Sequence, residues 1–135
     1  MVSFRIVSEY TSDSPLLGEG QKIAGGPVYS LTRVQGLCAD GTGVSLWTRD
    51  CYQNVQDLQW TADDVADLIQ QLKVADYIDS EWCDNGKGAI AGCDAYALRR
   101  MEWVPAANRQ MQIEYFLKFA INKLGTLVLT VSCHT

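Results

Sequence analysis

The end of the chain does most to constrain the fold. Ile113–Ile121 and Thr126–Cys133 are rich in aromatic and β-branched residues, and only Asn122-Lys123-Leu124-Gly125 separates them. Such segments suit a pleated, half-buried surface. A link this short joins them as an antiparallel hairpin, expected at the centre of a sheet.

Upstream the apolar period is that of helices. Thr61 and Asp64 approximate a capping box, with Asp in the usual Glu position, and Val65, Leu68, Ile69 and Leu72 follow at helical spacing. Ser30 caps a shorter helix whose Leu31, Val34, Leu37 and Cys38 share one face. Asp40-Gly41-Thr42-Gly43 turns into Val44–Trp47, and Arg49–Leu58 reads as a helix burying Cys51, Tyr52 and Val55. Asp94–Arg100 reads as a strand, and Trp103–Asn108, with its Pro105, as a connecting loop. Residues 3–9 alternate like a short edge strand, and Thr11–Pro27 reads as an extended surface segment. Helices first and strands afterwards predict an α+β fold: a central twisted antiparallel β-sheet with about three helices packed on it. No repeat or long linker divides the chain. It reads as a single domain, 1–135, with residues 1–26 leading into a core of 27–135.

At 135 residues, 47% hydrophobic and 20% charged, such a domain can bury a core without staples. No apolar run is long enough to span a membrane, and MVSFRIVSEY lacks the pattern of a signal peptide. A cytoplasmic location is therefore expected. Cys38, Cys51, Cys83, Cys93 and Cys133 are widely spaced, with no C-x-x-C pair, which argues for buried thiols over disulfides or a zinc site. The net charge of −5 disfavours phosphate binding but is unevenly spread. Residues 1–93 hold six Lys/Arg against thirteen Asp/Glu, a balance of −7, and residues 94–135 hold five against three, a balance of +2.

No P-loop, nucleophile elbow, zinc-protease helix or dinucleotide fingerprint is present. No metal or cofactor is expected. Asp76, Asp79, Glu81 and Asp84 lack the spacing of a calcium loop and read as a solvated face. Trp60, Trp82 and Trp103 read as core or rim packing. Two residues stand out. His134 is the only histidine, just past the last strand; its ordinary reading is an exposed, idle side chain. Lys118 interrupts an apolar strand, so its face reaches solvent, a cleft or a partner. Its ordinary reading is a snorkelling lysine on a polar sheet face.

In order along residues 27–135 the chain resembles the MqsR-type toxins of the RelE-like ribonucleases. Pro27-Val28-Tyr29-Ser30-Leu31 resembles the family's opening before its first helix, and Leu58 to Leu72 its central helix. Asp76-Tyr77-Ile78-Asp79-Ser80 resembles D-F-Y-K-S, and Cys93-Asp94-Ala95-Tyr96 resembles Q-D-V-Y. Phe116-Leu117-Lys118 resembles Y-L-K, and Val131-Ser132-Cys133-His134 the closing V-S-F-K or V-S-F-H. The resemblance implies a RelE/MqsR-like fold and a metal-free endoribonuclease of a toxin–antitoxin module. In that chemistry the ribose 2′-OH attacks the adjacent phosphate while an acid protonates the leaving 5′ oxygen.

The chain departs from that pattern at three places. Asp79 stands at the family's lysine, Cys93 at its glutamine and Phe116 at its tyrosine; His134 falls on the terminal lysine. The resemblance therefore points to His134 and Lys118 as catalytic residues, with Arg99, Arg100 and Tyr96 binding substrate RNA, and an antitoxin as partner. The alternative that the departures leave open is a catalytically silent relative, such as a phage- or plasmid-borne inhibitor, that meets a protein partner through an acidic face.

Overall fold

The computed structural model describes residues 5–11, 22–39 and 44–134, with the side chains of 50, 62 and 127–134 outside the description. The expected turn at 40–43, most of the extended segment 11–27 and the His134 side chain fall outside it. The elements run β1 (Arg5–Ile6), β2 (Lys22–Ile23), α1 (Leu31–Leu37), β3 (Val44–Leu46), α2 (Arg49–Asp57), α3 (Ala62–Gln70), β4 (Tyr77–Asp84), β5 (Ala89–Val104), β6 (Arg109–Ile121) and β7 (Leu127–His134). The sheet order is β2-β4-β5-β6-β7-β3, with β1 beside the start of β5. The architecture is α+β, as the order of helical and strand-like patterns predicts.

Several features differ from the sequence reading. The sheet is mixed, because β3 pairs parallel to β7 and β1 parallel to β5. Its centre is β5–β6, not the β6–β7 hairpin, because β4 adds a strand on the far side of β5. The strands are also longer than predicted. β5 runs on to Val104 and β6 begins at Arg109, so Pro105 lies in the tight turn between them. That turn closes with Asn108 in the left-handed region, at φ 54°, a conformation asparagine tolerates better than most residues.

The helices form because their caps and apolar faces agree. The Ser30 hydroxyl accepts from Arg33 N–H at the start of α1, and the Thr48 hydroxyl accepts from Cys51 N–H at the start of α2. The Asp64 carboxylate accepts from the Thr61 N–H at 2.7 Å, opening α3. Val34, Val55, Val65, Leu68, Ile69 and Leu72 are buried, and so are the strand residues Ile113, Tyr115, Leu117 and Phe119. All belong to one core cluster. Full burial of each aliphatic or aromatic side chain contributes roughly 1.5–3 kcal/mol, which accounts for helices as short as seven residues in α1. Tyr52 was expected inside but is 56% exposed, on the outer face of α2.

A second small core of Ile23, Trp82 and Ile90 sits at the other end of β4–β5. Close backbone approach makes it possible. A Cβ on Gly92 would meet the Tyr10 ring at 2.8 Å and the Ile23 side chain at 3.2 Å. Buried Asp94 ties this region together, accepting from Val28 N–H and Tyr29 N–H at 2.9 Å each and from the Ser80 hydroxyl at 2.6 Å. Among the described residues no helix is long and apolar enough to cross a membrane.

Candidate functional site

Strand alternation divides the sheet residues into two sets. Partnered residues share a face, so Tyr96, Leu98, Arg100, Tyr115, Leu117 and Phe119 look toward the helices. Asp79, Ala95, Arg99, Glu114, Phe116 and Lys118 lie on the opposite, open face. The strand register also brings Cys93 and Glu81 to that open face as a cross-strand pair.

The open face carries a row of alternating charge. Lys22 Nζ lies 2.7 Å from Asp79 Oδ2 and 3.0 Å from Glu81 Oε2, and Lys118 Nζ pairs with the other oxygen of Glu81. Lys118 and Glu81 sit on strands separated by β5, about 9.5 Å apart. The residues between them on this face, Ala95 and Cys93, are small enough for the lysine to pass over. The Glu81 side chain is only 12% exposed, against 41% for Lys118 and 63% for Lys22.

These contacts set the protonation states. Burial alone would raise the Glu81 carboxyl, but hydrogen bonds and charge from Lys118 and Lys22 outweigh it and hold its pKa low. Burial would lower the Lys118 ammonium, but Glu81 outweighs that and raises it. Lys22 is raised by its hydrogen bonds to Asp79 and Glu81. The Cys93 thiol is pushed up by hydrogen bonding with Cys83 and by burial, so it is a thiol and not a reactive thiolate. Sequence reasoning did not single out Lys22, and it read Glu81 only as part of a solvated acidic face, whereas its side chain is mostly buried and ion-paired. The readable trace was the period-2 run Asp79-x-Glu81-x-Cys83, which places one side of a strand opposite Lys118.

The five residues expected to form a site do not gather in one place. Lys118 is on the open face, paired with Glu81. Arg99 is on the same face, four residues along in register, and pairs with Glu114. Arg100 is on the helix side, where it pairs with Glu102 and lies 5.7 Å from the Trp60 ring and 5.0 Å from the Tyr115 ring. Tyr96 is 1% exposed, stacked on Phe119 with ring centroids 5.2 Å apart. Burial raises its hydroxyl to about 12. Its place is in the core, on the side of the sheet away from Lys118.

His134 can be located only by its backbone, which pairs with Glu114 at the end of β7. Lys118 pairs with Thr130, so the two backbone positions lie roughly 13 Å apart along the hairpin at about 3.3 Å per residue. The positions that the family resemblance marks, Asp79, Cys93 and Phe116, do share the open face with Lys118. What stands there is an anion, a buried thiol and a half-buried phenyl ring in place of a cation, an amide and a phenol.

Cys38, Cys51 and Cys93 are buried and Cys83 is half-buried. Among the described residues no group of three or more His, Cys, Asp or Glu could hold a metal ion. No protein-family model matches the chain, and no curated protein matches it.

Proposed function

We propose that this chain is a protein-binding module on an MqsR/RelE-like scaffold, silent toward RNA and acting in the cytoplasm. The observation that carries this reading is the neutralised open face. Lys22, Lys118 and Arg99 are each matched there by Asp79, Glu81 or Glu114, whereas RNA phosphates need unmatched positive charge. Proton transfer near neutral pH needs a group whose pKa lies near 7. On this face Glu81, ordinarily below that range, is lowered further, and Lys118 and Cys93, ordinarily above it, are raised further.

The helix layer supplies a surface for a partner. Asp57, Asp63, Asp64 and Asp67 are exposed along α2 and α3, and α3 contains no Lys or Arg. Such a surface suits a basic protein partner and steers its approach. Affinity capture from the native host tests this reading. The wild-type chain is expected to retain a stoichiometric protein that a chain carrying Asp63→Lys and Asp67→Lys loses. Equal retention by both chains would contradict it.

A second reading, the endoribonuclease toxin, is favoured by one observation: β7 places the only histidine on the strand beside that of Lys118. In that reading His134 is the acid or base, Lys118 stabilises the phosphate, and an antitoxin is the partner. It requires RNA fragments with 2′,3′-cyclic ends that disappear when both His134→Ala and Lys118→Ala are introduced.

A further inference from the structure

The β5–β6 hairpin reaches past its neighbours. β4 stops pairing with β5 at Tyr96, and β7 stops pairing with β6 at Glu114. Beyond Tyr96 no described strand pairs with the outer edge of β5, although it runs to Val104. Which groups line that edge follows from strand alternation. The Ile90 carbonyl accepts from Val7 and the Gly92 N–H donates to Ser8, both on the β6 side. The Ala89 carbonyl accepts from Asn85, on the β4 side. The register from Asp94 to Val104 contains no bulge, so the N–H and C=O groups of Arg99, Met101 and Trp103 point outward. The edge also exposes two large apolar side chains, Met101 at 59% and Trp103 at 55%. An open edge with exposed apolar residues is a template for another strand.

We infer that this edge pairs with the same edge of a second copy of the chain, antiparallel, about a two-fold axis at Met101. The sequence of the edge is self-complementary in that register and in no neighbouring one. With Met101 opposite Met101, Arg100 faces the second copy's Glu102, Arg99 its Trp103 and Leu98 its Val104. Each pair is favourable: opposite charges, a guanidinium against an indole, and two aliphatic side chains. Centring the axis on Arg100 would oppose two arginines, and centring it on Glu102 would oppose two glutamates. The hydrogen-bonding phase agrees, because Met101 presents its own N–H and C=O outward and can exchange both with its counterpart. A groove of about 460 Å³ lined by Lys73, Asp76, Ile78, Ala97 and Arg99 runs beside the start of the free edge. It leaves room there for the second copy's turn at Pro105–Asn108. This assembly stands apart from the function proposed above, since it uses the opposite end of β5 from the Glu81–Lys118 pair.

Light scattering and sedimentation of the full-length chain over a dilution series test the inference, because a two-fold dimer dissociates with dilution. The wild type is expected to be a dimer at the upper concentrations. Met101→Lys sets two ammonium groups against each other across the axis and is expected to give a monomer. Its far-UV spectrum should match the wild type, and so should its melting temperature in dilute protein, where the wild type is monomeric too, since Met101 is exposed. Met101→Cys is expected to cross-link to itself on mild oxidation. Hydrogen-bonded antiparallel pairs have Cα atoms about 5.5 Å apart, within disulfide range, and peptide mapping distinguishes this bond from one to Cys83. A wild type that stays monomeric throughout overturns the inference, including one that pairs this edge with a different protein. So does a dimer that persists in Met101→Lys, or a cross-link that maps elsewhere.

Discussion

Glu81 is the residue on which the open face turns. It holds two lysines at once, and its pKa is lowered by them against the opposing effect of burial. A carboxyl lowered in the folded state contributes stability that is present above its unfolded pKa, about 4.3. That contribution is lost as pH falls through the lower folded value. Glu81→Gln is therefore expected to reduce stability at pH 7 by about 1 kcal/mol and to flatten the acid side of the pH profile. Urea midpoints across the acid range measure both effects, and an unchanged profile would show that the pair is idle. Asp94 has a larger role, since it accepts from two backbone N–H groups and one hydroxyl inside the fold. Asp94→Ala strands those donors and should cost at least about 3 kcal/mol, read from the same urea titrations. Neither residue stood out in the sequence, because their partners lie far away along the chain. Lys22 is 59 residues from Glu81, and Val28 is 66 from Asp94. Lys118 was legible as a lysine in an apolar strand, but the carboxylate that occupies it was not.

At the scale of elements, what was local was legible. Ser30 and the Thr61–Asp64 box mark helix starts through contacts spanning three residues, so α1 and α3 could be read from short windows. Asp64→Ala is expected to lower the unfolding midpoint by an amount corresponding to about 1 kcal/mol, whereas Asp67→Ala, outside the cap, should change it little. The strand β4 was not legible. Its acidic residues resemble a solvated loop until β2 and β6 bring lysines against them. The length of β5 was hidden for a similar reason: Pro105 suggests a loop, and only the register with β6 shows a turn confined to 105–108. Amide exchange tests the free edge directly. Arg99, Met101 and Trp103 should exchange rapidly in dilute protein and slowly in concentrated protein, while Arg100, turned toward β6, should change little. Rapid exchange at both concentrations would count against a paired edge.

Across the whole molecule the charge asymmetry seen in the sequence becomes a spatial one. The acidic excess of the first 93 residues shows as exposed aspartates on α2 and α3, and the cations on the open face of the sheet are matched by carboxylates. The sheet thus brings the marked positions 79, 93, 116 and 118 onto one face, where an anion, a buried thiol, a phenyl ring and a lysine paired with Glu81 stand. The α+β order was readable from the change of hydrophobic period; the neutrality of the face was not, since it depends on which residues meet across strands. The most direct test is to incubate the purified full-length chain with total RNA and map the fragment ends. The account predicts no cleavage above the background of a His134→Ala chain. Fragments ending in 2′,3′-cyclic phosphate from the wild type, absent with His134→Ala, would contradict it.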